Sequence, residues 1–290
     1  MGICGKYGNV KCSVPHPCDI NRKLWAISDA VHIFKCIRNN VHDFVQVLYD
    51  NQLIYYKFYR RIYDVDTTPE SAGIRICPKL TNAHLDPSSF QRMNARLAFQ
   101  LFSASTADAI RFFRERGVGG FEGSETTEQF TRDMNDLADA LNSNTPATAL
   151  YQGSHHHQTL LKIATRLSTS NNTFASGRTL ESLTVTIQSI LEMSNYLWKR
   201  GFAYILTSKF NQDPLERHFG ILRSFSCDDH PSTIDFLHLH MLQSIYVPVK
   251  QALSAGGNCE PKVDTPLTSF VHQMRKLARE TKYCNNEIRM

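Results

Sequence analysis

The sequence lacks several patterns that would assign it to a familiar class. No stretch approaches the roughly 18 consecutive apolar residues of a membrane-spanning helix, and no Gly-x-x-x-x-Gly-Lys-Ser/Thr loop is present to bind nucleotide phosphates. The eight cysteines include no Cys-x-x-Cys pair, so a zinc or redox motif of that kind is not indicated. These features predict a globular protein with reduced thiols and no membrane partner.

The chain is long enough for one or two domains and carries little excess charge. Its 290 residues hold 32 Lys and Arg against 27 Asp and Glu, a formal net charge of +5. This mildly favours a nucleic-acid partner, although so small an excess does not establish one. Acidic residues placed at the ends of apolar segments are more informative.

Two carboxylates lie one helical turn apart in residues 210–220. The apolar run 202–206 before them predicts a strand, and Pro214 suits the first helical position, which puts Asp213 at the N-cap and Glu216 at N3. Metal-dependent nucleases hold magnesium at such strand-to-helix junctions. The alternative is a capping box, because Asp-x-x-Glu also satisfies the first backbone N–H groups of a helix without any metal.

A second acidic junction lies near the start of the chain. Residues 24–28 predict a strand that ends at Asp29, and a helix with a regular apolar face follows, formed by Val31, Phe34, Ile37 or Arg38, Val41 and Val45. Taken alone, Asp29 is also explained as a helix cap. A two-metal site, however, collects its carboxylates from the ends of different elements, so two such junctions favour the metal interpretation more than either does singly.

Four motifs occur in a fixed order along the chain. The pattern Asp-x-x-His-x-x-Lys-x-x-Arg-Asn begins at Asp29, and Asp-Pro-Leu-Glu-x-x-Phe-Gly begins at Asp213. Between them, residues 78–85 with 93–103, and then residues 137–143, form two further segments. Together the motifs resemble the catalytic region of the P-element transposase family, which includes the THAP-type transposases, and the two middle segments resemble its GTP-binding insertion domain. The match extends in order to about residue 250.

The resemblance implies an α/β, mainly helical chain, in which a truncated ribonuclease-H-like fold is interrupted by an all-α insertion domain. The corresponding domains are residues 1–72 with Asp29, the insertion domain at 73–200, the rest of the ribonuclease-H-like domain at 201–255, and a polar tail at 256–290. Periodicity agrees with a helical middle region. It predicts strands around Trp25 and Ile54, and it predicts helices that contain Met93 to Leu101, Phe130 to Leu141, Thr179 to Gly201, and Thr233 to about Ala252.

The resemblance also implies a guanine nucleotide site. In it, Asp139 accepts hydrogen bonds from the guanine edge, Asn142 supports Asp139, Lys79 meets phosphate, and Asp213 helps to hold the magnesium ion of the nucleotide. Two residues depart from the family pattern. Ala138 stands where the family has an aromatic residue that stacks on the base, and Asn94 replaces a second phosphate-binding lysine. We therefore expect weak GTP binding.

For DNA strand cleavage and joining, the resemblance implies three acids that hold two Mg²⁺ ions. Asp29 and Glu216 match the second and third, whereas the residues before Asp29 are too few to supply the strand that carries the first. The sequence therefore predicts a nuclear, DNA- and GTP-binding transposase fragment or domesticated remnant that is inactive alone. The alternative is an active magnesium-dependent transposase when the chain is full-length, or is assembled with another copy or with a full-length transposase.

Overall fold

The computed structural model describes residues 2–6, 8–68, 75–225 and 231–254, and the fold is mainly helical. Within these residues, strands pair in three antiparallel two-stranded ribbons: β1 (Cys4–Lys6) with β2 (Asn9–Lys11), β3 (Ser13–His16) with β4 (Asp19–Trp25), and β5 (Gln46–Tyr49) with β6 (Gln52–Tyr55). The strands predicted around Trp25 and Ile54 are therefore β4 and β6, although β4 ends at Trp25 and the predicted continuation through residues 26–28 to Asp29 is wrong. The helices are α1 (Ala30–Phe44), α2 (Lys57–Asp66), α3 (Asn82–Leu85), α4 (Ala95–Leu101), α5 (Ala104–Glu115), α6 (Glu125–Leu141), α7 (His155–Thr169), α8 (Gly177–Trp198), α9 (Asp213–Phe225) and α10 (Thr233–Ser254).

The first two ribbons contact α8. A Cβ atom on Gly5 would lie 2.3 Å from the carbonyl oxygen of Glu181, so β1 approaches the helix backbone more closely than any larger residue would permit. The Ser189 hydroxyl of α8 donates to the carbonyl oxygens of Cys12 (3.2 Å) and Ala26 (2.5 Å). These contacts fix the chain on both sides of the β3–β4 ribbon, just before it enters α1.

The hydrophobic core is centred on aromatic rings from distant parts of the chain. Phe130 of α6 packs against Tyr49 of β5, Phe102 and Phe174, with ring centroids 5.1–5.6 Å apart in edge-on arrangements. Each such pair contributes roughly 0.5–1.5 kcal/mol beyond the burial of its apolar area. The rings join the β5–β6 ribbon, α6 and the segment before α8 into one core.

Most of the apolar face predicted for α1 is confirmed as buried. Phe34, Val41 and both alternatives at the third position, Ile37 and Arg38, are buried. The prediction for Val45 is wrong, because this residue ends the helix with a φ of 59° and its side chain is 56% exposed.

The helices predicted through Phe130 to Leu141 and from Thr179 are confirmed as α6 and α8. The helix predicted to contain Met93 is interrupted instead. Residues Gln91–Met93 form a short 3₁₀ turn, and α4 begins only after Asn94, whose side chain accepts a hydrogen bond from the Arg96 backbone N–H. Because an asparagine side chain competes with helical hydrogen bonding, it starts a new helix here, and Met93 is left exposed.

The strand predicted at residues 202–206 is also wrong. Only Ile205 pairs, through two backbone hydrogen bonds of 2.9 and 3.0 Å to Leu150, and a 3₁₀ helix begins two residues later at Thr207. An apolar run forms a strand only when an extended neighbour supplies a ladder of partners, and the loop around Leu150 offers a single residue.

The chain divides into two compact units, Met1–Asn211 and Gln212–Met290. In the second unit α9 packs against α10, with Phe219 and Phe236 at a ring distance of 6.0 Å. The predicted helix from Thr233 is therefore α10. The predicted polar tail at 256–290 lies outside the described residues. Among the helices that the structure describes, none has both the length and the apolar character needed to span a bilayer.

Candidate functional site

A cavity of about 510 Å³ lies where the end of α6 meets the start of α7, both in the first unit. Its volume is within the range of small-molecule sites, roughly 300–1,000 Å³. The walls combine two aromatic rings with many polar side chains. The lining residues are Phe99, Phe102, Asn135, Ala138, Asp139, Asn142, Ser143, Asn144, Thr148 and His156. Two of the residues predicted to bind nucleotide, Asp139 and Asn142, thus share one cavity.

Asp139 lies in the last turn of α6 with its carboxylate partly surrounded by protein. Its Oδ2 accepts a hydrogen bond of 3.3 Å from Asn135 Nδ2. Although the residue as a whole is solvent-accessible, desolvation of the carboxylate raises its pKa; nearby His156 opposes this rise and Asp136 adds to it. The carboxylate is therefore a hydrogen-bond acceptor held in a partly dry setting, where a matching donor would bind more strongly than in open water.

Asn142 forms the C-cap of α6 and is fixed by the chain that follows α8. Its Oδ1 accepts a hydrogen bond of 3.3 Å from Asn211 Nδ2. The neighbouring Ser143 is buried and bonded to Thr207, with 2.9 Å between the hydroxyls and 3.0 Å from the Ser143 N–H to Thr207 Oγ1. This network makes the polar side of the cavity rigid, and it leaves the Asn142 Nδ2 group available as a donor.

Two phenylalanines form the apolar side of the cavity. Phe102 is fully buried, and Phe99 is half-buried with its ring 5.1 Å from that of Phe34 on α1. Ala138, as predicted from its sequence, offers no ring. The aromatic surface missing at position 138 is instead present on residues nearly 40 positions earlier, which periodicity along α6 cannot reveal.

His156 completes the lining from the first turn of α7. Ser154 caps this helix by accepting from the His157 N–H at 3.3 Å, and this cap places the following residues at the cavity. The Nδ1 atom of His156 is buried and has no hydrogen-bond partner among the described residues. The contact between α6 and α7 gives His156 surroundings that differ from those of His155 and His157, which do not line the cavity.

Lys79 is not among the residues that line the cavity. It is exposed in the turn before α3, and the ten lining residues include neither Lys nor Arg. The cavity as described therefore offers groups suited to a base or nucleoside. Contact between Lys79 and phosphate stays a prediction, and Asn94 acts as the cap of α4.

Asp29 is the N-cap of α1. Its Oδ1 accepts from the Val31 N–H and its Oδ2 from the His32 N–H, each at 3.2 Å. The capping interpretation is thereby confirmed. It does not compete with metal binding, because each carboxylate oxygen can accept a second partner and the side chain is half-exposed.

Asp213 and Glu216 lie in the first turn of α9, in the second unit. The Glu216 N–H donates to the Gln212 carbonyl oxygen at 2.9 Å, and the Glu216 side chain is exposed. In the described parts of the chain, no three His, Cys, Asp or Glu side chains are grouped closely enough to hold a metal ion. The approach of Asp29 to Glu216 and the assignment of Mg²⁺ to Asp29, Asp213 and Glu216 stay predictions.

Comparison with known proteins agrees with the motifs. Residues 31–154 match the family model of the TNP-like GTP-binding insertion domain, a segment that contains Lys79, Asp139 and Asn142. Over 232 residues the chain is 27% identical to the transposable element P transposase of Drosophila melanogaster, covering 76% of this chain and 30% of that protein. Over 240 residues it is 25% identical to human DNA transposase THAP9, covering 77% and 26%.

A solved structure, the Drosophila P element transposase strand transfer complex, superposes with a TM-score of 0.69 at 26% identity. The match covers 79% of this chain and 53% of the solved chain. These comparisons confirm the resemblance to the P-element transposase family. The chain spans less than a third of the length of the two curated relatives, 30% and 26% respectively.

Proposed function

We propose that this relative of the P-element transposases binds a guanine nucleotide in the cavity between α6 and α7. One observation carries the proposal. Asp139 and Asn142, selected from a sequence motif, line the same cavity, and both lie in the segment that matches a GTP-binding insertion domain.

The chemistry of the lining suits guanine. The Watson–Crick edge of guanine presents two neighbouring donors, the N1–H and the exocyclic amine, and a carboxylate such as Asp139 accepts both. Adenine has an unprotonated N1 at the same place, so two acceptors would face each other with no hydrogen atom between them. Phe99 and Phe102 provide apolar surface for the base, so loss of the family aromatic at Ala138 is partly offset.

Phosphate binding is assigned to Lys79, and binding of the nucleotide's magnesium ion to Asp213. Magnesium bound there would screen the charge of the phosphates.

Isothermal titration tests the nucleotide site. We expect GTP to bind more tightly than ATP, with an affinity that is weak in absolute terms and is abolished by Asp139→Ala. Asp136→Ala is the matched control, since Asp136 lies one turn earlier on α6 and does not line the cavity. Lys79→Ala should weaken GTP but leave guanosine unchanged. Equal affinities for GTP and ATP, or an Asp139→Ala variant that binds like the unaltered chain, would refute the proposal.

A second candidate function, action on DNA in the nucleus, rests on the relatives. The human relative is named a DNA transposase, and the superposed structure is a strand transfer complex. We propose that the parts of 1–72 and 201–255 outside the segment 31–154, which matches the insertion-domain model, form a ribonuclease-H-like region. In that region Asp29 and Glu216 would hold Mg²⁺, which activates the attacking hydroxyl and stabilises the leaving oxygen. On this proposal the chain binds DNA but does not cleave it alone, and a second copy or a full-length transposase is its partner.

A further inference from the structure

Asn135 of α6 makes different hydrogen bonds with the two ends of its side-chain amide. Its Oδ1 accepts from the Ala104 N–H at 3.0 Å, and its Nδ2 donates to Asp139 Oδ2 at 3.3 Å. The same Nδ2 donates to Asp136 Oδ1 at 3.4 Å. Because only the oxygen of the amide can accept from a backbone N–H, the contact with Ala104 fixes which end of the amide meets the carboxylates. Asn135 is also one of the residues that line the cavity.

Ala104 is the first residue of α5, where a helix leaves its backbone N–H groups without partners inside the helix. The side chain of the N-cap residue, Ser103, accepts from none of the described N–H groups of α5. Asn135 supplies an acceptor from a different helix. Its side chain is therefore anchored to the start of α5 at one end and reaches Asp139 with the other.

The orientation of the Asp139 carboxylate decides whether it can meet both donors of guanine. The last side-chain bond of an aspartate has broad rotational freedom, and a carboxylate that turns about it does not keep both oxygens facing N1–H and the amine. Asn135 restrains this rotation through Oδ2. Each carboxylate oxygen can accept more than one hydrogen bond, so both oxygens of Asp139 stay able to accept from a base.

The hydrogen bond from Asn135 also favours the ionised form of Asp139. Burial of the carboxylate raises its pKa, and the charge of Asp136 adds to this rise. His156 and His155 of α7 oppose the rise in pKa, as does the Asn135 amide. The ionised carboxylate is the form that two guanine donors require, because it accepts hydrogen bonds and donates none.

We propose that Asn135 is a positioning residue of the guanine site, which is anchored to the start of α5 and holds the Asp139 carboxylate so that its two oxygens meet the two donors of the base. The inference rests on the proposed guanine nucleotide function and deepens it. Asn135 lies outside the motif at 137–143. Recognition of the base then depends on the packing of α5 against α6 as well as on that motif.

Titration calorimetry with GTP and inosine triphosphate tests this role. Inosine triphosphate lacks the exocyclic amine, so it offers Asp139 one donor, which a freely turning carboxylate can still meet. We expect Asn135→Ala to weaken GTP about fivefold, which corresponds to roughly 1 kcal/mol for ordering one side chain on binding. Inosine triphosphate should lose less affinity, so that the preference for GTP falls. A contact of Asn135 with ribose or phosphate, or a purely structural role, would weaken both ligands equally.

A second variant separates the positioning of Asp139 from the support of α5. Asn135→Asp keeps an oxygen that can accept from the Ala104 N–H, but when ionised it cannot donate to Asp139 and it places a like charge beside it. It should bind GTP at least as weakly as Asn135→Ala does. The pKa of Asp139, followed by NMR of its carboxyl carbon, should be higher in both variants than in the unaltered chain.

Gln129 provides the matched control. Its Nε2 donates to Asp133 Oδ1 at 2.9 Å, which is the same amide-to-carboxylate contact between residues four apart on α6, and neither residue lines the cavity. Gln129→Ala should therefore bind GTP and inosine triphosphate as the unaltered chain does. A thermal melt of each variant checks the fold, and if Asn135→Ala unfolds, Asn135→Asp decides the question with the same two ligands.

The outcomes separate this inference from the proposed function. If GTP binds and Asp139→Ala abolishes binding, but Asn135→Ala keeps the preference for GTP over inosine triphosphate, the role of Asn135 is refuted and the guanine site stands. The same conclusion follows if Asn135→Asp binds GTP as the unaltered chain does, because Asn135 then only supports α5. If GTP does not bind the unaltered chain, or Asp139→Ala has no effect, both proposals are refuted.

Discussion

The carboxylate of Asp139 lies in surroundings that make its ionised form less favourable than it is in water. Partial burial raises the pKa of Asp139 in the folded chain, so the folded state takes up a proton at a higher pH than the unfolded state does. Because the pKa of Asp139 is higher in the folded chain than in the unfolded chain, protonation of its carboxyl group stabilises the fold as the pH falls. At neutral pH the group is charged, and this charge lowers the free energy of unfolding.

We therefore predict that Asp139→Asn abolishes GTP binding without lowering the melting temperature at neutral pH. The amide removes the desolvated charge, and its oxygen can still accept the hydrogen bond from Asn135. Differential scanning fluorimetry without nucleotide measures the stability, and titration calorimetry measures the binding. A clear loss of stability would show that Asp139 is a structural residue of α6 instead.

Asp29 combines two roles that substitutions can separate. Both of its oxygens accept backbone N–H groups at the start of α1, so Asp29→Ala should lower the free energy of unfolding by about 1 kcal/mol. Asp29→Asn should cost much less, because asparagine is an equally good N-cap. Urea unfolding of both variants measures this difference. If a transposase assembled with this chain is active, Asp29→Asn should abolish strand transfer although the fold is intact, whereas a purely capping role would leave transfer unchanged.

At the scale of elements, a buried charge network joins β5, α6 and α7. Asp133 of α6 is 2% exposed; it accepts from the Tyr49 hydroxyl at 2.9 Å and from Lys162 at 2.6 Å, and it pairs with Arg166. This carboxylate neutralises two cations from one helix while it satisfies a buried hydroxyl from a strand. Its removal would leave the buried Tyr49 hydroxyl without its acceptor, whereas Arg166 would still pair with Asp50 at 3.1 Å.

Asp133→Ala should therefore lower the free energy of unfolding by roughly 1–3 kcal/mol, the usual cost of leaving a buried hydrogen-bonding group without its partner. Asp108→Ala is the control, because Asp108 is an exposed partner of Arg132 and such surface pairs contribute about 0–1 kcal/mol. Chemical denaturation of the two variants gives the comparison. Equal effects would mean that the network contributes no more than a surface pair.

Sequence reasoning predicted the elements best where local pattern determines them. Helices α6 and α8 follow from regular apolar spacing, and α1 follows from a cap and a buried face. Predictions were wrong where a strand depends on a neighbouring extended segment to pair with. At residues 202–206 that segment offers only Leu150, so no strand forms. The cavity lining was likewise predicted only in part. Asp139 and Asn142 belong to one sequence motif and were predicted together. Phe99 and His156 reach the cavity through the packing of α4 and α7, which no pattern in the nearby sequence indicates.

At the scale of the whole molecule, the two predicted chemistries are distributed differently over the chain. The cavity proposed to bind the nucleotide is lined only by residues of the unit Met1–Asn211. The proposed DNA-cleaving acids are divided, with Asp29 in that unit and Glu216 in the unit Gln212–Met290. Recognition of the base therefore needs one unit to be folded, whereas strand transfer and the magnesium contact assigned to Asp213 need residues of both units. The two activities should accordingly be separable in experiment.

The final prediction is that the purified chain binds DNA but does not cleave it with Mg²⁺ or Mn²⁺. Two metal ions need bridging carboxylates to offset their repulsion, and the family motifs match only two of the three acids here, Asp29 and Glu216. Binding should involve mainly phosphates and should therefore fall steeply as salt rises, because bound cations are released from the DNA. Fluorescence anisotropy across a salt series measures binding, and gel analysis of labelled duplex measures cleavage. Cleavage that disappears in both Glu216→Ala and Asp29→Ala would show that the chain holds a complete active site, since a contaminating nuclease would be unaffected by either change.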